Sequence, residues 1–156
     1  MAFPPTGAAV ILRHDIDFSI AKAVELAVAE MDQESARLKK LRDRLVEGVM
    51  NMEGATLTGH PTARLPNHAS FAFKGTDGAS LVLQLDSYGI AASTGSACSS
   101  TKQEQSHVLR ATGVPSNWGS LRLTMGRDST ESDVDYVLET LPKVLSKMQA
   151  MARWSK

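Results

Sequence analysis

The chain holds a single cysteine, no Cys-x-x-Cys pair and only four scattered histidines, His14, His60, His68 and His107. A lone thiol excludes an internal disulfide and fits a reducing compartment, which points to the cytoplasm. Without clustered cysteine or histidine donors a zinc site has no ligand set, so no metal is expected. An excess of charge is missing too: 17 basic residues balance 17 acidic ones, and the basic ones are dispersed. Neither the basic stripe of a nucleic-acid binder nor the polybasic cluster of a membrane-surface helix is present. No apolar run approaches membrane-spanning length, and the first residues lack the basic-then-apolar order of a signal peptide. No internal repeat stands out.

What is there is the composition of an ordinary globular chain, 42% hydrophobic and 22% charged over 156 residues. That length suits one domain, large enough to bury roughly two thirds of its unfolded surface. Residues 1–15, with Pro4, Pro5, Gly7 and a short apolar run, read as a leader or a short strand; residues 16–156 read as the domain. From Ile16 the period changes. Ile20, Val24, Ala27, Met31, Leu38, Leu41, Leu45 and Val49 predict an amphipathic helix of about eight turns, capped by Asp15, Asp17 or Ser19 and stopped before Gly54.

A short strand follows at 55–58, and the alternation of Ala69, Phe71 and Phe73 with His68, Ser70 and Ala72 predicts a second strand over 68–73. Gly75-Thr76-Asp77-Gly78 supplies a turn and a cap, residues 80–88 read as a helix stopped by Gly89, and 90–92 as a brief strand. Ser106 caps a short helix over 107–112. Leu121, Leu123 and Met125 share one face of a strand over 120–125, which turns Arg122 and Thr124 to the other face. Thr130 and Asp133 have capping-box spacing ahead of a final helix, which Pro142 interrupts. The fold class is therefore α+β: a small, largely antiparallel sheet with helices on one face, and long helices near both ends.

The cysteine, Cys98, sits in Ser93-Thr94-Gly95-Ser96-Ala97-Cys98-Ser99-Ser100-Thr101, a run of small residues that cannot pack a core. Such a run predicts a mobile, exposed loop, and a thiol carried there reaches solvent or substrate. A Ser/Gly linker with an incidental thiol is the plain alternative. Thr94-Gly95-Ser96 lacks the Gly-Lys-Ser/Thr ending of a phosphate cradle. His60 and His68 read as structural, and His107 as a half-buried packing residue. A solvated strand charge is the plain alternative for Arg122, and a partner for Asp128 or Asp133 is the one for Arg127.

Read together, the segment 93–99, Ser106-His107-Val108-Leu109-Arg110-Ala111, Ser120-Leu121-Arg122-Leu123 and Gly126-Arg127 resemble the C-terminal part of the cysteine desulfurases, the NifS/IscS-like branch of the class V aminotransferases. Arg64-Leu65-Pro66-Asn67 ahead of a Phe-containing strand adds to the likeness, which covers about nine-tenths of the chain. The resemblance implies that Cys98 is the nucleophile taking sulfur from L-cysteine as a persulfide, with release of alanine. It also implies that Arg122 holds the substrate carboxylate. The residue chemistry agrees, since a thiolate is the nucleophile of choice for sulfur and a guanidinium fork matches a carboxylate.

The family needs pyridoxal phosphate on a lysine of a Ser-x-His-Lys type segment, and this chain has none. It therefore reads as the small C-terminal domain alone, with no cofactor-binding residue of its own. Its implied partners are L-cysteine, a sulfur-acceptor or scaffold protein, a large-domain partner and a second copy in a homodimer. A stand-alone persulfide carrier and a non-catalytic interaction module are the alternatives. Mixed with pyridoxal phosphate and L-cysteine, the purified chain is expected to develop no Schiff-base absorbance and to release no sulfide; either signal overturns the expectation.

Overall fold

Period-two alternation decides the centre of the fold. In β2 (His68–Lys74), Ala69, Phe71 and Phe73 are buried, while His68 and Ser70 are half-buried. In β3 (Trp118–Thr124), Gly119, Leu121 and Leu123 are buried, while Arg122 and Thr124 are exposed. The two strands pair antiparallel with Phe71 opposite Leu121, Phe73 opposite Gly119 and Ala69 opposite Leu123. Apolar side chains thus meet apolar ones on one face of the ribbon. Short β1 (Ala55–Leu57) adds to the other edge of β2, giving a three-stranded antiparallel sheet of order β1-β2-β3.

The computed structural model describes residues 6–95 and 106–154, with side chains described over 19–95 and 106–150. It divides into two compact units, Met1–Ala36 and Arg37–Lys156. Helix α1 (Thr6–Met50) contributes to both; α2 (Gly78–Asp86), α3 (His107–Ala111) and α4 (Glu131–Trp154) belong to the second. Within that unit Leu41, Leu45 and Val49 of α1, Leu81 and Leu85 of α2, and Val134, Leu141 and Val144 of α4 close over the apolar sheet face. Each such side chain contributes about 1.5–3 kcal/mol when fully buried. Phe71 and Phe73 lie at the centre, their ring centroids 6.4 Å apart. Among the described residues no helix is long and apolar enough to cross a membrane, and no cluster of three metal-ligating side chains occurs.

Three local expectations are corrected. Residues 6–15 are helical and not a strand, so Asp15, Asp17 and Ser19 lie inside α1 rather than at its start. A short apolar run such as 8–12 does not distinguish helix from strand by period, and its alanines favour the helix. Residues 90–92 form no strand. The Ile90 amide donates to the Leu85 carbonyl to finish α2, and only Ser93 pairs with β3. His107 is exposed rather than half-buried. The apolar stripe of the first helix also changes along its length: Leu41, Leu45 and Val49 are buried, whereas Ile20, Val24 and Met31 are more than half exposed.

The capping features form as expected. Asp77 accepts from the Ser80 amide, Ser106 from the Val108 amide, and Thr130 and Asp133 close a reciprocal box at the start of α4. Those bonds to Thr130 hold the Asp133 carboxyl below the usual carboxylate range. Helix α4 runs on through Pro142, flanked by buried Leu141, Val144 and Leu145.

Gly119 is where α2 meets β3. A Cβ there would lie 2.5 Å from the Thr76 carbonyl oxygen and 2.7 Å from the Gly78 amide nitrogen, both backbone atoms that cannot swing aside. Gly119→Ala is expected to lower stability by roughly 1–3 kcal/mol, read as a lower urea midpoint. Gly126→Ala, with nothing within 4 Å of its Cβ position, is the control expected to stay near wild type.

Candidate functional site

The face of the sheet turned away from the helices is polar. β2 contributes His68 and Ser70, β3 contributes Ser120, Arg122 and Thr124, and Thr58 follows β1. Ser70 stands directly opposite Arg122, and His68 opposite Thr124. His68 and Arg122 are therefore diagonal neighbours on one face, roughly 7–8 Å apart at the backbone and within reach of long side chains. The Thr58 and Ser70 hydroxyls bond at 2.8 Å across the β1–β2 boundary. The Arg122 side chain is exposed and has no hydrogen bond or ion pair to another described residue.

The segment leading into β2 is fixed by arginines. Arg42, 4% exposed, binds the Asp43 carboxylate through Nε and Nη2 and donates from Nη1 to the Leu65 carbonyl at 3.0 Å. Arg64 donates from Nη2 to the Thr58 carbonyl and from Nε to the His60 carbonyl, while its Nη1 is buried with no partner. Burial, then the nearby Arg42 charge, lower the Arg64 pKa, with Asp43 opposing. His60 has a structural part, its Nδ1 accepting from the Thr62 and Ala63 amides.

His68, read from the sequence as structural, lies on the same sheet face as Arg122. Burial, then the positive charges of Arg122 and Arg64, push its pKa below the ordinary imidazole value. The strand alternation carried the signal, because His68 and Ser70 had to face away from Phe71, as Arg122 does from Leu121. What was missing was the register that sets the two strands side by side.

The segment that leads toward Cys98 starts at this face. Ser93 forms a two-bond antiparallel bridge with Arg122: its amide donates to the Arg122 carbonyl at 3.1 Å, and its carbonyl accepts from the Arg122 amide at 2.7 Å. Next along, the Thr94 and Ser120 hydroxyls lie 3.1 Å apart. Gly78 packs against this corner so closely that a Cβ there would overlap Thr94 Oγ1 and the Ser120 backbone. Cys98 itself lies outside the described residues. A cavity of about 200 Å³ lies elsewhere, on the core side, lined by Leu45, Ile90, Leu123, Met125 and Val134 among others; neither Arg122 nor His68 lines it.

A pyridoxal phosphate site needs an enclosed amine beside a phosphate cradle. Lys22, Lys39, Lys40, Lys74, Lys143 and Lys147 are all exposed, so the described residues do not fit that group.

A small antiparallel sheet backed by helices, with Ser93 bridged to Arg122 at its edge, defines an α+β domain. The chain belongs to the Aminotransferase class-V family, which matches residues 16–137. It is similar to the cysteine desulfurase IscS of Methanosarcina thermophila, 49% identical over 135 residues, covering 85% of this chain and 33% of that protein. Cysteine desulfurase IscS 1 of Archaeoglobus fulgidus is 46% identical over 133 residues, covering 84% of this chain and 35% of the relative. Among solved structures, a NifS-like protein superposes with a TM-score of 0.68 at 35% identity, covering 81% of this chain and 32% of that one. The chain thus spans about a third of the length of the relatives it matches.

If Arg122 and His68 share this face, removing one charge moves the other group's titration. In Arg122→Gln the His68 pKa is expected to rise toward the ordinary value, followed by NMR of the imidazole protons. For wild type the sign follows from the depressed pKa: the native state resists protonation. The His68 contribution to stability is then present above the unfolded pKa near 6.5 and lost as pH falls through the lower folded one.

Proposed function

We propose that this chain is the sulfur-accepting, carboxylate-holding part of a cysteine desulfurase. The observation that carries the reading is the Ser93–Arg122 bridge, which ties the start of the cysteine loop to the strand bearing the guanidinium. Cys98 is five peptide links beyond Ser93, a span of at most about 18 Å of extended chain. The similarity to cysteine desulfurases across 85% of the chain supports the same assignment.

In this reading Arg122 binds the α-carboxylate of L-cysteine through its two parallel donors. The Cys98 thiolate attacks the substrate sulfur. A sulfur–sulfur bond forms as the carbon–sulfur bond breaks; the electron pair leaves with carbon, which takes a proton and departs as alanine. Cys98 is left as a persulfide for a sulfur acceptor serving iron–sulfur cluster or thio-cofactor assembly. Pyridoxal phosphate supplies the electron sink in the full-length family enzymes. No step of this chain is routed through it, because the residues here do not fit it, and that half of the chemistry belongs to the remaining two thirds of the relatives' length.

A second reading follows from the same shortness: the chain accepts a persulfide sulfur made by another enzyme and carries it. Self-association is also part of the proposal, through exposed Ile20, Val24, Leu26, Val28 and Met31 of α1, since clustered apolar exposure favours burial in a partner. A reducing cytoplasm is the setting in which the thiol stays available.

Incubation with a complete desulfurase and L-cysteine, followed by intact-mass analysis, is expected to add one sulfur atom to the wild-type chain and none to Cys98→Ser. An equal gain in both, or in neither, removes the thiol from the mechanism.

A further inference from the structure

We propose that His68 is a second member of the carboxylate site: it shares one sheet face with Arg122 and takes up a proton when an amino-acid carboxylate arrives there. The inference rests on the reading of Arg122 as the carboxylate holder and adds to it a residue and a proton.

The geometry comes first. His68 and Arg122 lie on one sheet face, with Ser70 paired to Arg122 and Thr124 paired to His68. Thr58 links this pair of strands to Arg64, accepting Arg64 Nη2 on its carbonyl at 2.8 Å and bonding Ser70 through its hydroxyl. Arg64 is too enclosed at Nη1 to reach a ligand, so it acts on His68 by charge alone. Arg122 is exposed and is the group that a carboxylate meets.

The charges around His68 are unbalanced. Arg122 comes from β3 and Arg64 from the segment before β2, and both disfavour the imidazolium. The remaining charged groups on neighbouring elements are otherwise engaged or distant. From α1, Arg37 donates to the carbonyls of Gly126, Arg127 and Ser129, and Arg42 is paired with Asp43. Arg127 and Asp128 lie in the exposed turn after β3, and Lys74 is at the far end of β2. No described carboxylate is among the causes that set the His68 titration.

A carboxylate bound to Arg122 supplies that missing negative charge. It offsets the positive field that disfavours the imidazolium, and the imidazolium gains an anionic partner, so the His68 pKa rises. By linkage the same carboxylate binds more tightly at pH values where His68 is protonated, about tenfold for each unit that the pKa moves. A residue that merely packs the sheet has no such coupling. The ligand class is a free amino acid, recognised by its carboxylate; an amide in its place carries no charge to offer.

The experiment is a pair of NMR titrations on the whole chain at fixed ionic strength. The His68 imidazole protons, assigned by their loss in His68→Gln, are followed against pH with L-alanine, with L-alaninamide and with neither. The guanidinium signals of Arg122 are followed in parallel. Expected are a rise of the His68 pKa by half a unit or more with L-alanine, none with L-alaninamide, and none with L-alanine in Arg122→Gln. The Kd for L-alanine should fall between pH 7.5 and 5.5 in wild type and stay flat in His68→Gln. If Arg122 responds to L-alanine while the His68 pKa holds still, the role of His68 is overturned and the reading of Arg122 stands. If neither group responds, both fail together.

Discussion

The antiparallel pairing of β2 with β3 is the constraint from which the rest of the molecule follows. Seven Cα pairs run from His68–Thr124 to Lys74–Trp118. With side chains alternating at period two, this register puts Phe71 against Leu121 on one face and Ser70 against Arg122 on the other. A slip of β3 by one residue against β2 would send Leu121 to solvent and Arg122 into the core. The burial of Phe71, Phe73 and Leu121 therefore locks the orientation of Arg122 as firmly as it locks the core.

Packing energy and site chemistry are thus two readings of one ladder. The apolar face is closed by helices from both sides of the sheet in sequence, with Val49, Leu85 and Leu141 meeting over Phe71 and Phe73. Close backbone approach at Gly119 and Gly78 holds the start of α2 against β3, next to Thr94 and Ser120. That corner is where the chain leaves the sheet toward Cys98. Ser93 spends both backbone groups on Arg122, so the loop begins from an anchored residue beside the guanidinium.

The open face carries a different physics. Its polar groups are hydroxyls and basic side chains, with Thr58 bonded to Ser70 and Thr94 to Ser120. Arg42 is satisfied by Asp43 and by the carbonyls of Arg64 and Leu65, and this stiffens the segment leading into β2. Arg64 feels the Asp43 charge, whereas Arg122 makes no ion pair with a carboxylate among the described residues. The relatives are about three times as long as this chain.

Much of this was legible in the residues themselves. The alternation in 68–73 and 120–125, the caps at Asp77, Ser106 and Thr130, and the small-residue run around Cys98 are local properties that neighbouring residues determine by sterics and hydrogen-bond reach. The motifs at 93–99, 106–111 and 120–127 carried the family with them. The start of the first helix and the state of residues 90–92 were not legible, because an apolar triplet or pentad has no period to read and the Ile90 amide was claimed by α2. Tertiary structure alone decided that His68, thirty residues before the cysteine, shares a face with Arg122, and that Ser93 grips that strand. Strand register is a long-range choice, made by which apolar side chains bury together, and no window of sequence contains it.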